Sequence, residues 1–369
     1  MRSALKAVFK HALIIFLKCL GLLRLARWFT TRNSFVIIGW HGVSIDAEHE
    51  RFKTLFISTE TLERRLKFLK KVFNIVSLEA ALSQQKSKSI RPAQAVLTFD
   101  DGYYNFLSKA VPLLSRYQAP AVCYIVTEPM VNEESKPNLL LRDCITRTKL
   151  TEVELQEPGL NAIVPLRSQS DKARAEVQLL NALAAISKDQ RNAFVDRLGD
   201  AMGIDVASLR ASRYWNTMTA GEVRELVESS DLFSIQLHTH VHINVIALGD
   251  QLDSDLRLCR AEVEKATGRD ATDFCYPTGF WSKNTWPVLA DNGIRSAVTT
   301  RRGPNYVETH PFCLRRVMDG EATSQLEFEL EVSGLKWLLR SWFHCEKRWN
   351  PSEKHSRYRD RQTRAENKQ

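Results

Sequence analysis

Ala95-Val96-Leu97-Thr98-Phe99-Asp100-Asp101-Gly102 is an apolar run that ends in two adjacent carboxylates and a glycine. A short run rich in β-branched and aromatic residues reads as a buried strand, and Asp-Gly supplies ordinary turn chemistry at its end. Two neighbouring carboxylates also repel unless a positive group sits beside them. The same pair therefore reads as a metal site or as a base with a perturbed proton affinity. The octet alone leaves turn and site both open.

A second apolar stretch, residues 232–237, runs into His238-Thr239-His240-Val241-His242, which holds three of the nine histidines. Imidazole is the commonest side-chain ligand for zinc, cobalt, nickel and iron. On a helical or turning backbone His238 and His242 share a face, and on a pure strand His240 joins them. A polar loop with incidental histidines is the plainer alternative, and the carboxylate pair weakens it.

Further apolar runs at 34–39, 121–126, 273–276 and 296–299 alternate with helical patterns, which predicts parallel strands with crossover helices. Helices are expected at 59–72, with Leu62, Leu66 and Leu69 at helical spacing, at 253–267, and at 284–292 before a capping Gly293. Residues 144–211 are rich in charge, with helical patterns at 171–186 and 189–202 and little strand propensity, and read as a helical insertion. Residues 336–369 form a basic tail whose last part, 350–369, has almost no apolar residues and is expected to be disordered.

At 369 residues and 44% hydrophobic, the chain suffices for one large domain or two ordinary ones. Lys and Arg number 52 against 43 Asp and Glu, a net charge of +9, and the excess lies in 1–32 and 336–369. Basic ends point to an anionic surface such as lipid headgroups. No zinc-finger spacing, RNA-binding motif or phosphate-binding loop occurs, so nucleic acid is not an expected partner. The seven cysteines are dispersed without a C-x-x-C, which suits reduced thiols and a reducing cytosol.

Residues 4–29 place Leu5, Val8, Ala12, Ile15, Cys19, Leu22 and Ala26 three or four apart, with Lys6, Lys10, Lys18, Arg24 and Arg27 mostly on the other side. The charges interrupt every apolar run before the roughly 18 to 20 residues that span a bilayer. An interfacial basic helix on the inner face of the cytoplasmic membrane is the expectation. A helix packed on the body of the same protein, and a signal or anchor segment, are the alternatives.

With Thr98-Phe99-Asp100-Asp101-Gly102 and His238-Thr239-x-x-His242 both in place, the chain resembles the polysaccharide deacetylase family, of the NodB-homology or carbohydrate esterase 4 type. Trp40-His41-Gly42-Val43 looks like the Tyr-His-x-Val first strand of its exopolysaccharide branch, and residues 57–69 like the helix that follows. Phe274-Cys275-Tyr276-Pro277-Thr278-Gly279 is similar to the third motif, and Leu314-Arg315-Arg316-Val317 to the closing one.

The resemblance implies an α/β fold, a distorted (β/α) barrel spanning 33–335, with its site at the carboxyl ends of the strands. It implies that Asp101, His238 and His242 hold a divalent metal, usually zinc but sometimes cobalt or nickel, and that Asp100 is the general base. The implied reaction removes N-acetyl groups from amino sugars of a polysaccharide or lipid-linked glycan, through a water activated by the metal and the base. His41 is the expected proton donor. Thr239, Tyr103, Tyr276, Pro277, Thr278 and Arg316 are expected to support the site or line the sugar. His240 is expected beside the ligands rather than among them.

Two departures stand out. Cys275 occupies the place where many members carry an Arg that orients the base, and Arg316 is the candidate substitute. No late Leu-x-His motif is found, and His310 before Pro311 is a poor stand-in. An O-acetyl esterase or deformylase on the same scaffold, or a non-catalytic carbohydrate-binding relative, remain as alternative functions.

Overall fold

The computed structural model describes residues 2–157 and 160–342. Six strands form where the apolar runs predict them: β1 (Ser34–Trp40), β2 (Gln94–Phe99), β3 (Ala121–Ile125), β4 (Phe233–Leu237), β5 (Asp273–Cys275) and β6 (Ser296–Val298). They lie side by side in the order β6-β5-β4-β3-β2-β1, and every neighbouring pair is parallel. Alternation along each strand divides the side chains between two cores. Phe35, Ile37, Val96, Val122, Tyr124 and Val298 belong to the inner one. Val36, Ile38, Leu97, Cys123, Phe274 and Ala297 pack outward against helices.

The two edges of this sheet are joined by one short segment. Leu314 bridges Val298 of β6, and Val317–Met318 pairs in parallel with Ile38 and Gly39 of β1. The result is the distorted (β/α) barrel. Asp319 anchors the segment: its amide donates to the Gly39 carbonyl at 2.9 Å, and its carboxylate accepts from Trp40 Nε1 at 3.1 Å and Arg65 Nε at 2.9 Å.

Outside the barrel lie α1 (Arg2–Cys19), α2 (Leu22–Thr30), α3 (Thr59–Val72), α4 (Pro137–Arg147), α5 (Leu252–Thr267), α6 (Gln325–Val332) and α7 (Leu335–Trp342). Ser58 caps α3 by accepting the Thr61 amide, and Leu62, Leu66 and Leu69 are buried, as their spacing predicts. Gly268, at φ 65, ends α5.

Three expectations need correction. The single N-terminal helix is two, because Gly21 turns left-handed at φ 73 between α1 and α2. The insertion begins earlier, at α4, and is not all helical: Glu152–Glu157 and Leu160–Pro165 pair antiparallel. Val153, Leu155 and Val164 are buried there while Glu154 and Ile163 are exposed, a period-two pattern that outweighs the local charge. The helix expected at 284–292 is the shorter Trp286–Asp291 behind a turn at Lys283–Thr285. The start of the basic tail is helical in α7, and the disorder expected at 350–369 lies outside the described residues.

The insertion has a core of its own. Leu140, Leu179, Val195, Leu198 and Trp215 form it, and it reaches the barrel through Phe56 and Tyr103.

Candidate metal centre

The inward phase of β2, which carries Val96 and Thr98, continues to Asp100 at the carboxyl end of the strand. Its amide donates to the Trp40 carbonyl at 2.8 Å, which sets it beside His41 at the end of β1. The chain then turns left-handed twice, at Asp101 (φ 72) and Gly102 (φ 67). A Cβ on Gly102 would lie 2.3 Å from Ile125 Cγ1, so glycine is required here for space as well as conformation. Both carboxylates end up buried, with Asp100 3% and Asp101 4% exposed.

Two more left-handed residues, Thr239 (φ 64) and His242 (φ 56), fold the histidine loop after β4. The His238 amide donates to the Ile125 carbonyl at 3.1 Å, and its Nδ1 faces the Cys275 carbonyl at 2.8 Å. That contact fixes the proton on Nδ1 and leaves Nε2 free as a ligand. His238 Nε2 and His242 Nε2 lie 3.5 and 3.1 Å from Asp101 Oδ1. Asp101 Oδ1 is buried and makes no hydrogen bond, so three ligand atoms converge where one of them lacks a partner. This donor set fits a divalent ion with one carboxylate and two imidazoles.

Asp100 is held differently. Arg316, on the barrel-closing segment, donates to both of its oxygens at 2.7 and 2.8 Å, and also reaches Cys275 Sγ at 3.2 Å. The guanidinium missing from the third motif thus arrives from the fourth. Burial pushes the Asp100 carboxyl up, but Arg316 outweighs it and the group lies below its ordinary value. Burial likewise raises Asp101, while Lys136 and His242 bring it well below. Burial lowers His238, yet the field of Cys275 and the neighbouring Asp101 carboxylate lift it well above the usual imidazole. His41 falls below its ordinary value because burial outweighs the pull of Asp100 and Asp101, and its buried Nδ1 makes no hydrogen bond.

Sequence reasoning missed two residues. Lys136, just before α4, brings its ammonium 3.4 Å from Asp101 Oδ2 and 4.3 Å from the Tyr103 ring centre. Asp255, from α5, accepts the His240 and Val241 amides at 2.9 and 3.2 Å and so ties down the histidine loop. Neither lies near a motif, and no local signal marks them.

The supporting residues divide. Thr239 is buried and its hydroxyl donates to the His238 carbonyl at 2.6 Å, bracing the loop. His240 pairs through Nδ1 with Thr127 Oγ1 at 2.9 Å and stays outside the ligand set. Tyr103 is buried beneath Asp101 rather than lining an open sugar surface. Tyr276 packs in the core with its hydroxyl on the Phe312 carbonyl at 3.0 Å, and Pro277 is buried, so of that trio only Thr278 is exposed. His310 stacks on Trp286 with ring centres 4.0 Å apart. The large cavity of about 1120 Å³ opens at the opposite, amino-terminal end of the strands, among Val96, Val122, Gln236 and Asp273, and contains none of the ligand residues.

A parallel barrel with one carboxylate and two imidazoles converging at its carboxyl end is an arrangement that could hold a divalent ion. The chain is similar to the polysaccharide deacetylase family. The family's sequence profile matches residues 87–163 and 206–297, and the gap falls within the insertion. The poly-β-1,6-N-acetyl-D-glucosamine N-deacetylase of Escherichia coli (strain K12) is 35% identical over 92 residues, which cover 24% of this chain and 13% of that protein. The match thus spans only a small part of that relative. The Streptococcus pyogenes deacetylase PplD, solved in complex with acetate, superposes with a TM-score of 0.54 at 14% identity, over 82% of this chain and 99% of that one. IcaB from Ammonifex degensii gives 0.52 at 15% identity, over 82% and 98%. These two likenesses concern the fold.

Proposed function

We propose that the protein is a divalent-metal-dependent carbohydrate N-deacetylase that hydrolyses the N-acetyl amide of an amino sugar in an exopolysaccharide or lipid-linked glycan. The convergence of Asp101, His238 and His242 around an unpartnered carboxylate oxygen, with a second carboxylate held apart by Arg316, carries this reading. Zinc suits the donor set best, with cobalt or nickel as substitutes. Such an ion supplies Lewis acidity, polarising the acetyl carbonyl and acidifying a water molecule.

The chain's own residues do the rest. Asp100 remains ionised across neutral pH and, aimed by Arg316, accepts a proton from the attacking water. His41, beside it at the end of β1, is neutral at that pH, so it can take a proton on one side of the reaction and return it to the departing amine. Lys136 engages Oδ2 of Asp101 and leaves Oδ1 facing the histidines. Amide and water become amine and acetate, with no other reactant.

The dispersed cysteines, six of them free among the described residues, support our placing the reaction on the cytoplasmic side. The test incubates the full chain with N-acetylated glucosamine oligomers and follows acetate release and product mass. Loss of one acetyl unit with a new free amine, prevented by a chelator and restored by zinc, is the expected result. Chelator-insensitive release would overturn the metal role, and release of an acetyl group from oxygen would reassign the bond.

A further inference from the structure

We propose that the outward face of α1 and α2 is a docking surface for an anionic lipid bilayer, lying in the plane of the headgroups. This inference stands independently of the reaction.

Charge and apolar contacts fix one side of these helices to the body. Ile14 of α1 and Leu23 of α2 pack with Leu330 of α6. Lys10 pairs with Glu327, and Lys18 lies 2.6 Å from Glu329. The lysines are thereby drawn toward the protein, and the outward side is left apolar. Val8, Phe9, Leu13, Ile15, Phe16 and Leu20 are between 46% and 71% exposed. At 3.6 residues per turn they occupy one arc of about 160°, and Ile14 points the other way. On α2, Leu25, Trp28 and Phe29 continue the pattern at helical spacing. Of sixteen exposed large apolar side chains among the described residues, nine lie in these two helices and the turn between them. A soluble surface helix presents the reverse arrangement, and an apolar patch of this extent marks an interaction surface.

Charge selects the occupant. The sequence contains no Asp or Glu before Asp46, while Arg24 and Arg32 are exposed beside the patch. The Arg32 guanidinium lies 5.2 Å over the Trp28 ring, and such Arg and Trp pairs suit the headgroup level of a bilayer. A second copy of the chain, docked symmetrically, would set Arg24 and Arg32 against their own copies with no carboxylate to offset them. An anionic bilayer provides both the apolar medium and the opposite charge. No helix of the described residues is long and apolar enough to cross a membrane, so the contact is interfacial.

The test floats the full chain with vesicles of phosphatidylcholine, with and without phosphatidylglycerol, beside two variants. These are Phe16→Ser/Trp28→Ser and Arg24→Glu/Arg32→Glu, both confined to exposed side chains and checked for native circular dichroism. The unaltered chain should float with phosphatidylglycerol vesicles, less so as salt rises. The first variant should partition about 100-fold more weakly, and the second should lose its preference for the anionic lipid. A full chain that stays soluble beside phosphatidylglycerol vesicles would overturn the proposal. So would a sedimenting dimer that the Phe16→Ser/Trp28→Ser change converts to monomer.

Discussion

Asp100 and Arg316 meet through two parallel hydrogen bonds, and both side chains are almost wholly buried. Removing one partner of such a pair leaves an uncompensated charge in the interior, which costs about 3–5 kcal/mol. Arg316→Gln should therefore destabilise the chain by about that amount in denaturant unfolding and cut acetate release at least about 100-fold. Arg316→Lys, which keeps the charge but not the planar fork, should fall between the two. Native stability in Arg316→Gln would contradict the buried pair. At this scale the sequence is informative where chemistry is local. Asp100, Asp101, His238 and His242 each sit at the end of an apolar run, and their residue types name their chemistry. Lys136 and Asp255 reach the site only through the path of the folded chain. Cys275 meets His238 Nδ1 through its backbone carbonyl, a contact that any residue would supply.

The site is built from strand ends and the left-handed turns that follow them. Gly102 is the narrowest of these, with positive φ and Ile125 closing the space where a Cβ would go. Gly102→Ala should cost about 1–3 kcal/mol and reduce acetate release, because Asp101 rides on the same turn. An alanine variant with unchanged unfolding midpoint and turnover would show that the turn has slack. The strands β1 to β4 were legible because buried parallel strands read as continuous apolar runs. The hairpin at Glu152–Glu157 and Leu160–Pro165 was not, since its few apolar positions alternate with charge inside a region that otherwise reads as helix. For the N-terminal segment the amphipathic pattern was visible in the sequence. Which face turns outward depended on Glu327 and Glu329, far along the chain.

Across the whole molecule, closure of the barrel by Leu314 and Val317–Met318 delivers Arg316 to Asp100, while the insertion delivers Lys136 to Asp101. The metal and the proton then compete for one group. Asp101 lies well below its ordinary value and is ionised throughout, whereas His238 is lifted well above and holds a proton into the neutral range in the absence of metal. Binding an ion must displace that proton, so zinc affinity should rise with pH by about tenfold per unit while His238 is protonated, then level off. Titration against a fluorescent chelator at several pH values checks this, and a flat profile would oppose it. The most direct test of the central claim measures metal content and acetate release side by side in the full chain, Asp100→Asn and Asp101→Ala. About one divalent ion per chain is expected in the first two, acetate release in the full chain alone, and neither ion nor release in Asp101→Ala. An ion retained by Asp101→Ala, or undiminished release by Asp100→Asn, would contradict that claim.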